Sequence, residues 1–465
     1  MYKRFHINTY DDAEPTYLKK SETHPFNPRV SKIGLAKMLA KEALHLNKEL
    51  LTKEGRDYML SRPCIYGVFS RPVGGFWPVK EKCTGCMRCV QEHPDMITVE
   101  HNPKFYFLED SYWMPERDVR ETPVSRVHFE ARTGKILVRG MGYTGYFAGQ
   151  GWDSLWTDMS EIVRPTRDGV HGREYISTEV NLGRKPAHVD FKAPVNTLDA
   201  PLPILFDSLP KNMTNQDIMN ATKRAASEIG TFFIERLENV LLLATPHVLV
   251  PLLDKHNMNL IDCLESAPAV EYVGNRDVYE SAQTFGTPVF ARIPFNKDVV
   301  RHGTRLVEDG VDGLHVYANY HGMSFDSNTF FKDGLKDLHY ALVKNGLRSQ
   351  VSIIASGGIT LAEHVPKAIL SGADAVGLDT TIPIALEYKL KGNCVLPEKS
   401  SIQQRSLDVM WGQKRLVNLM ASWHSQLIEV MSAMGVRDVR RLSGETGRLI
   451  ENTYISEDWL GETIV

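Results

Sequence analysis

Ile354-Ala355-Ser356-Gly357-Gly358 closes a short apolar run at residues 351–355. Gly372-Ala373-Asp374-Ala375-Val376-Gly377-Leu378 opens the next, and a helical pattern at 361–371 lies between them. A strand that ends in two glycines before a helix lets backbone amides approach an anion closely, and the helix N-terminus favours the negative charge. Outward from this pair, apolar runs at 203–206, 231–234, 240–243, 289–293 and 313–317 alternate with amphipathic stretches at 215–229, 298–308 and 331–345. Such alternation predicts a parallel sheet, open or closed into a (β/α)8 barrel. In barrels of that kind a phosphate site is commonly built from the loops after strands seven and eight. Gly377 is followed by Asp379, whose charge would repel phosphate, and by Thr380 and Thr381, whose hydroxyls offer donors.

The rest of the chain divides around this region. Residues 1–60 read as a polar arm with a helical pattern, 61–100 as a proline- and glycine-rich loop segment, and 101–200 as an irregular link without a periodic helix. The barrel is expected over 201–395, and a helical tail with its core at 409–435 over 396–465. A net charge of −3 gives no reason to expect nucleic acid or an anionic membrane as partner. No run of about 18 apolar residues is present to cross a bilayer. The start, Met1-Tyr2-Lys3-Arg4-Phe5, carries no apolar stretch like a secretory signal, which leads us to expect a cytoplasmic protein.

In a reducing compartment, clustered cysteines more often bind metal than form disulfides. Cys83-Thr84-Gly85-Cys86-Met87-Arg88-Cys89 has the C-x2-C-x2-C spacing that aims three thiolates at one [4Fe–4S] cubane. Zinc sites more often use two well-separated C-x2-C hooks. The run continues to His93-Pro94, so His93 stands where a bacterial ferredoxin carries its fourth cysteine. In two-cluster ferredoxins that cysteine serves the other cluster. The cluster held by Cys83, Cys86 and Cys89 then needs a ligand from upstream. Cys64 lies at a separation resembling that between the two ferredoxin runs; His93 is the competing ligand. Cys263 reads as structural.

The paired glycine motifs resemble the FMN-binding domain of glutamate synthase, especially its archaeal-type and single-domain relatives. That family shows an Ile-Ala-Ser-Gly-Gly strand end followed by Gly-Ala-Asp-Ala-Val-Gly. Residues 308–313, 415–419, 434–439, 134–140 and 175–183 are similar to further family segments, so the resemblance covers roughly 130–450. It departs in several places. Residues 231–236, matched to the family's first barrel strand, lack its glycine-rich flavin loop. Arg292 stands where a lysine usually faces the flavin. The Asp-Gly-Gly-Thr-Gly loop reads Tyr320-His321-Gly322-Met323-Ser324, and a second iron–sulfur site is reduced to Cys394.

The resemblance implies an iron–sulfur flavoprotein: FMN in the barrel and a [4Fe–4S] cluster on Cys64, Cys83, Cys86 and Cys89. Ser356, Gly357, Gly358, Gly377, Thr380 and Thr381 would hold FMN, and Arg292 and His321 would serve catalysis. The implied reaction is reductive amination of a 2-oxo acid. Ammonia would come from solution or a separate subunit, and electrons from ferredoxin or another redox protein, within a homo- or hetero-oligomer. The alternative is a non-catalytic electron-transfer or scaffold subunit with a degenerate barrel. A zinc-binding module fused to a barrel is a third reading.

Overall fold

The computed structural model describes residues 5–18, 24, 26–33, 36, 64–70, 77–102, 123–136, 151–158, 175–186, 196–243, 247–264, 266–392 and 399–451. Most of the expected helix at 31–60 and Cys394 lie outside the described residues. The chain divides into two units, one of residues 14–128 with 137–147, the other of 1–13, 129–136 and 148–465.

In the smaller unit, β1 (Phe26–Val30) runs antiparallel to β2 (Ile97–His101), with Val30 opposite Ile97. A one-turn helix, α1 (Arg88–Glu92), precedes β2. Val68, Phe69, Cys89, Met96 and Ile97 form its buried core.

In the larger unit, eight parallel strands close into a barrel. Ahead of it come α2 (Pro123–Thr133), whose first half belongs to the smaller unit, β3 (Leu155–Thr157) and a hairpin of β4 (Val180–Arg184) with β5 (Asn196–Ala200). The barrel strands are β6 (Ile204–Phe206), β7 (Phe233–Arg236), β8 (Leu249–Leu253), β9 (Val270–Tyr272), β10 (Val289–Pro294), β11 (Gly313–Tyr317), β12 (Ser352–Ser356) and β13 (Ala375–Leu378). Helices α3 (Gln216–Ile229), α4 (Leu237–Leu243), α5 (Arg276–Gln283), α6 (Val299–Glu308), α7 (Phe331–Lys344), α8 (His364–Leu370) and α9 (Thr381–Ala385) connect or follow them. Helix α3 starts where Asn215 accepts from the Ile218 amide and stops at Gly230, which is left-handed.

Two barrel expectations need correction. Residues 240–243 are the end of α4, not a strand; a short apolar run cannot by itself distinguish the two. The strand is Leu249–Leu253, a stretch that the sequence reading did not name and that carries Pro251 at its centre. Residues 233–236 form the second strand, because Ile204–Phe206 closes the barrel against β13 as the first.

The flanks also differ from expectation. The link contains α2, with Val124, Val127 and Ala131 buried on one face. The tail is helix plus strand: its β15 (Ser400–Ile402) pairs with β14 (Leu390–Gly392) of the preceding region, and β16 (Leu449–Glu451) pairs with β3. Its long helix, α10 (Val409–Ala433), begins at Asp408, which accepts from the Met410 and Trp411 amides. Arg415 inside it is fully buried, donating to Ala385 and Ala13 carbonyls at 2.6 and 3.0 Å and facing Glu387 at 3.3 Å.

Candidate functional site

Parallel pairing places Arg292 beside His315, and Ser356 beside both Tyr317 and Gly377. These positions lie toward the C-terminal ends of strands five to eight, the end where barrel enzymes carry their chemistry. Arg292 reaches across the lumen to Asp207, just after strand one, through a two-pronged contact at 2.6 and 2.9 Å. Strands one and five are four places apart in the eight-strand ring, so this ion pair spans the barrel. The same guanidinium meets Glu271 of strand four at 3.2 Å and stacks 4.9 Å from the Tyr317 ring centroid.

His315 completes the network. Its Nδ1 faces the Glu271 carboxylate and its Nε2 lies 2.9 Å from Ser356 Oγ. The Ser356 hydroxyl also favours the charged form of Asp207. Burial works against the Asp207 charge, but Arg292 and then His315 offset it and hold the acid below the usual carboxylate range. Burial likewise opposes the Arg292 charge; Asp207 and Glu271 outweigh it and keep the guanidinium firmly protonated.

Two further carboxyl groups behave oppositely. Asp379, just past strand eight, is 5% exposed, and burial, followed by the Asp207 charge, pushes it up to about 7. Its Oδ1 accepts from the Thr380 amide and, at 2.9 Å, from the Thr380 hydroxyl. Thr381 Oγ1 donates to the Ile359 carbonyl at 3.3 Å. The donors expected to meet a phosphate therefore already have protein partners. Glu235, at the end of strand two, is raised by burial. Its Oε1 accepts from the Arg236 amide at 2.8 Å and from Asn239 at 3.0 Å, while Oε2 is buried without a partner among the described residues.

The glycines have a second explanation besides an anion. A Cβ on Gly357 would sit 2.5 Å from the Ala318 carbonyl oxygen, and one on Gly358 2.5 Å from the Gly322 amide nitrogen. The turn after strand seven is thus pressed against the loop after strand six, where His321 lies half-buried with its amide donating to Asn319 at 2.9 Å. Gly377 faces inward, its missing Cβ leaving room for Asp207 and Ser356. Arg292, Ser356 and Gly377 therefore come together, Thr380 and Thr381 flank them, and His321 stands at the adjacent loop. Asp207, Glu235, Glu271 and His315 were missed. Their signal was a charged or imidazole side chain at an inward position of an otherwise apolar strand, or directly after one.

In the smaller unit the four cysteines are neighbours. Burial pushes Cys83 up to about 12, and the thiols of Cys89, Cys64 and Cys86 act in the same direction. Cys89 rises to about 11 from burial and then from Cys64 and Cys86. The His93 amide donates to the Cys89 carbonyl at 3.0 Å. The loop turns sharply through Gly85 and Met87, both left-handed, and the Phe26 ring fills the place of a Cβ on Gly85. The Val68 amide points at Cys64 Sγ, 3.4 Å away. Among the described residues, no three His, Cys, Asp or Glu side chains are arranged to hold a single metal ion. Neighbouring thiols, Cys89 buried and Cys64, Cys83 and Cys86 partly so, fit a metal cluster chemically, since a metal replaces thiol protons on binding.

Residues 330–437 match the conserved region in glutamate synthase, a span that holds both glycine motifs. An archaeal-type glutamate synthase [NADPH] from Dehalococcoides mccartyi is 21% identical, covering 78% of this chain and 86% of that protein. An archaeal glutamate synthase [NADPH] from Methanocaldococcus jannaschii is 23% identical, covering 70% and 79%. A solved mandelate oxidase with an FMN adduct superposes with a TM-score of 0.42 at 14% identity, covering 78% of this chain and 98% of that one. The chain is thus a closed eight-stranded α/β barrel with an added thiol-bearing unit, similar along most of its length to archaeal-type glutamate synthases.

Proposed function

We propose that the protein is a glutamate synthase-like, FMN-dependent oxidoreductase that passes electrons between a [4Fe–4S] cluster and the flavin. The carrying observation is the similarity to archaeal-type glutamate synthases over 78% of the chain, which extends well beyond the 330–437 region. Cys64, Cys83, Cys86 and Cys89 would hold the cluster, within the ferredoxin-like segment at 61–100; the packing of Cys64 and Cys83 against the core that contains Cys89 supports Cys64 over His93. When bound, FMN exchanges single electrons with such a centre and pairs of electrons with a substrate.

The barrel mouth fits the flavin under one condition. Ser356, Gly357, Gly358 and Gly377 would present backbone to it, with Thr380 and Thr381 alongside and Arg292 as the nearby cation. Asp379 is compatible with a phosphate only as the neutral acid, a state its buried position makes accessible near pH 7. The proposed reaction joins a 2-oxo acid, ammonia, two electrons and two protons to give an amino acid and water. Glu235, whose acid burial favours, would hold a proton at Oε2, and His321 would contact substrate from the loop after strand six. Ferredoxin or another redox protein would supply the electrons, and a separate subunit or solution the ammonia, in a cytoplasmic homo- or hetero-oligomer.

The closed network of Asp207, Arg292, Glu271 and His315 favours a second reading, an electron-transfer or scaffold subunit without turnover. Anaerobic purification with iron, sulfide and flavin quantitation separates the two. Stoichiometric flavin with iron and sulfide supports the enzyme; iron and sulfide alone support the scaffold; colourless, metal-free folded protein overturns both. Cys64→Ala should turn a four-iron signal into a three-iron or labile one, and an unchanged signal would assign the fourth ligand to His93.

A further inference from the structure

Strand two ends on a second guanidinium, that of Arg236. Pairing runs from Arg236 to Leu252, from Leu252 to Glu271 and from Glu271 to Phe290. Partners in parallel register share a face, and Phe290 lies two residues before Arg292 on the same strand. Arg236 therefore belongs to the lumen face, as Arg292 does. It stands at the C-terminal end of its strand, the end where barrel enzymes carry their chemistry.

The two guanidinium groups differ in what they already hold. Arg292 is committed to Asp207 and Glu271. Arg236 Nη1 comes only within 3.9 Å of Asp254, beyond hydrogen-bond distance, and the two side chains are 35% and 28% exposed. The Arg236 Nε is buried without a partner among the described residues. Asp254 is engaged elsewhere, its Oδ1 accepting from the His256 and Asn257 amides at 2.7 and 3.1 Å. Glu235 is the adjacent acid, and burial there favours the neutral form. The Arg236 side chain is thus a positive charge reached by solvent at the barrel mouth, with no hydrogen-bond acceptor among the described residues.

We propose that Arg236 binds the carboxylate of the substrate through Nη1 and Nη2 and so selects an anionic 2-oxo acid. The planar fork of a guanidinium matches the two oxygens of a carboxylate, which a lysine ammonium meets only as a point charge. The assignment rests on the reductive amination proposed for this barrel and adds the group that would recognise its substrate.

Titration calorimetry on the purified full chain tests it, with 2-oxobutyrate, 2-oxoglutarate and phenylpyruvate as probes and methyl 2-oxobutyrate as the uncharged control. At least one of the acids should bind about tenfold more tightly than the ester. Arg236→Met should weaken that acid by about tenfold or more, the scale of one charge-assisted contact, and Arg236→Lys should recover part of the loss. Asp254→Asn keeps an oxygen for the His256 and Asn257 amides while removing the competing charge. It should tighten binding by about threefold, a gain that a folding defect does not produce. Failure of all three acids to bind, equal affinity for the ester, or an affinity that survives Arg236→Met overturns the assignment. Flavin absorbance of the same samples separates the two levels. Flavin-free native protein counts against the oxidoreductase reading, whereas flavin-bearing protein whose affinity survives Arg236→Met removes only the role of Arg236.

Discussion

Asp379 and Arg292 carry opposite consequences of burial. The folded Asp379 acid titrates near 7 against an ordinary 3.8, so between these values the folded chain keeps a proton that the unfolded chain has lost. Its contribution therefore falls as pH rises through this window and is most unfavourable above 7. Asp379→Asn should stabilise the protein most near about pH 8 and scarcely near about pH 4, as read by thermal denaturation across pH. A pH-independent difference would contradict the assignment. Flavin retention should likewise be greater at about pH 6 than at about pH 8 in the native protein, with the difference lost in the Asn variant. Arg292→Met leaves Asp207 and Glu271 without their shared cation and should cost about 3–5 kcal/mol in urea denaturation. A loss under about 1 kcal/mol would mean that the lumen rearranges around the missing charge.

Elements constrain one another through backbone contact as much as through side chains. Gly358 is left-handed and its added Cβ would strike the strand-six loop, so Gly358→Ala should destabilise the fold by about 2 kcal/mol or more before any effect on binding is considered. Thermal unfolding without ligand measures it. Most barrel elements were legible because their apolar runs are short and uninterrupted, as in Gly313–Tyr317 and Ala375–Leu378. Leu249–Leu253 follows directly on the apolar end of α4, with a proline inside it, and Val270–Tyr272 is too short to show a period. Arg292 was legible as a cation at the mouth. Its partners were not, because Asp207 and Glu271 meet it only after strands one, four and five curl around a common axis. Register within one strand carries no information about what faces it across a closed ring.

At the scale of the molecule, the two units rest on different kinds of core. The larger encloses an extensive apolar interior, whereas the described core of the smaller is Val68, Phe69, Cys89, Met96 and Ile97, one of them a thiol. A core of that size needs a metal or other staple to hold. Anaerobic iron chelation of the full chain should therefore abolish one of two calorimetric transitions and leave the other in place; a single unchanged transition would remove the argument for a cluster-dependent unit. The Cys83–Cys89 spacing made this unit legible, while the convergence of Cys64 depends on a chain path that spacing alone does not define. One consequence belongs to the barrel as a whole. The Asp207–Arg292 bridge is a cross-brace that ties the stave of strand one to that of strand five on the far side of the ring. Removing either partner would therefore slacken two opposite staves at once, whereas loss of a surface ion pair would slacken none.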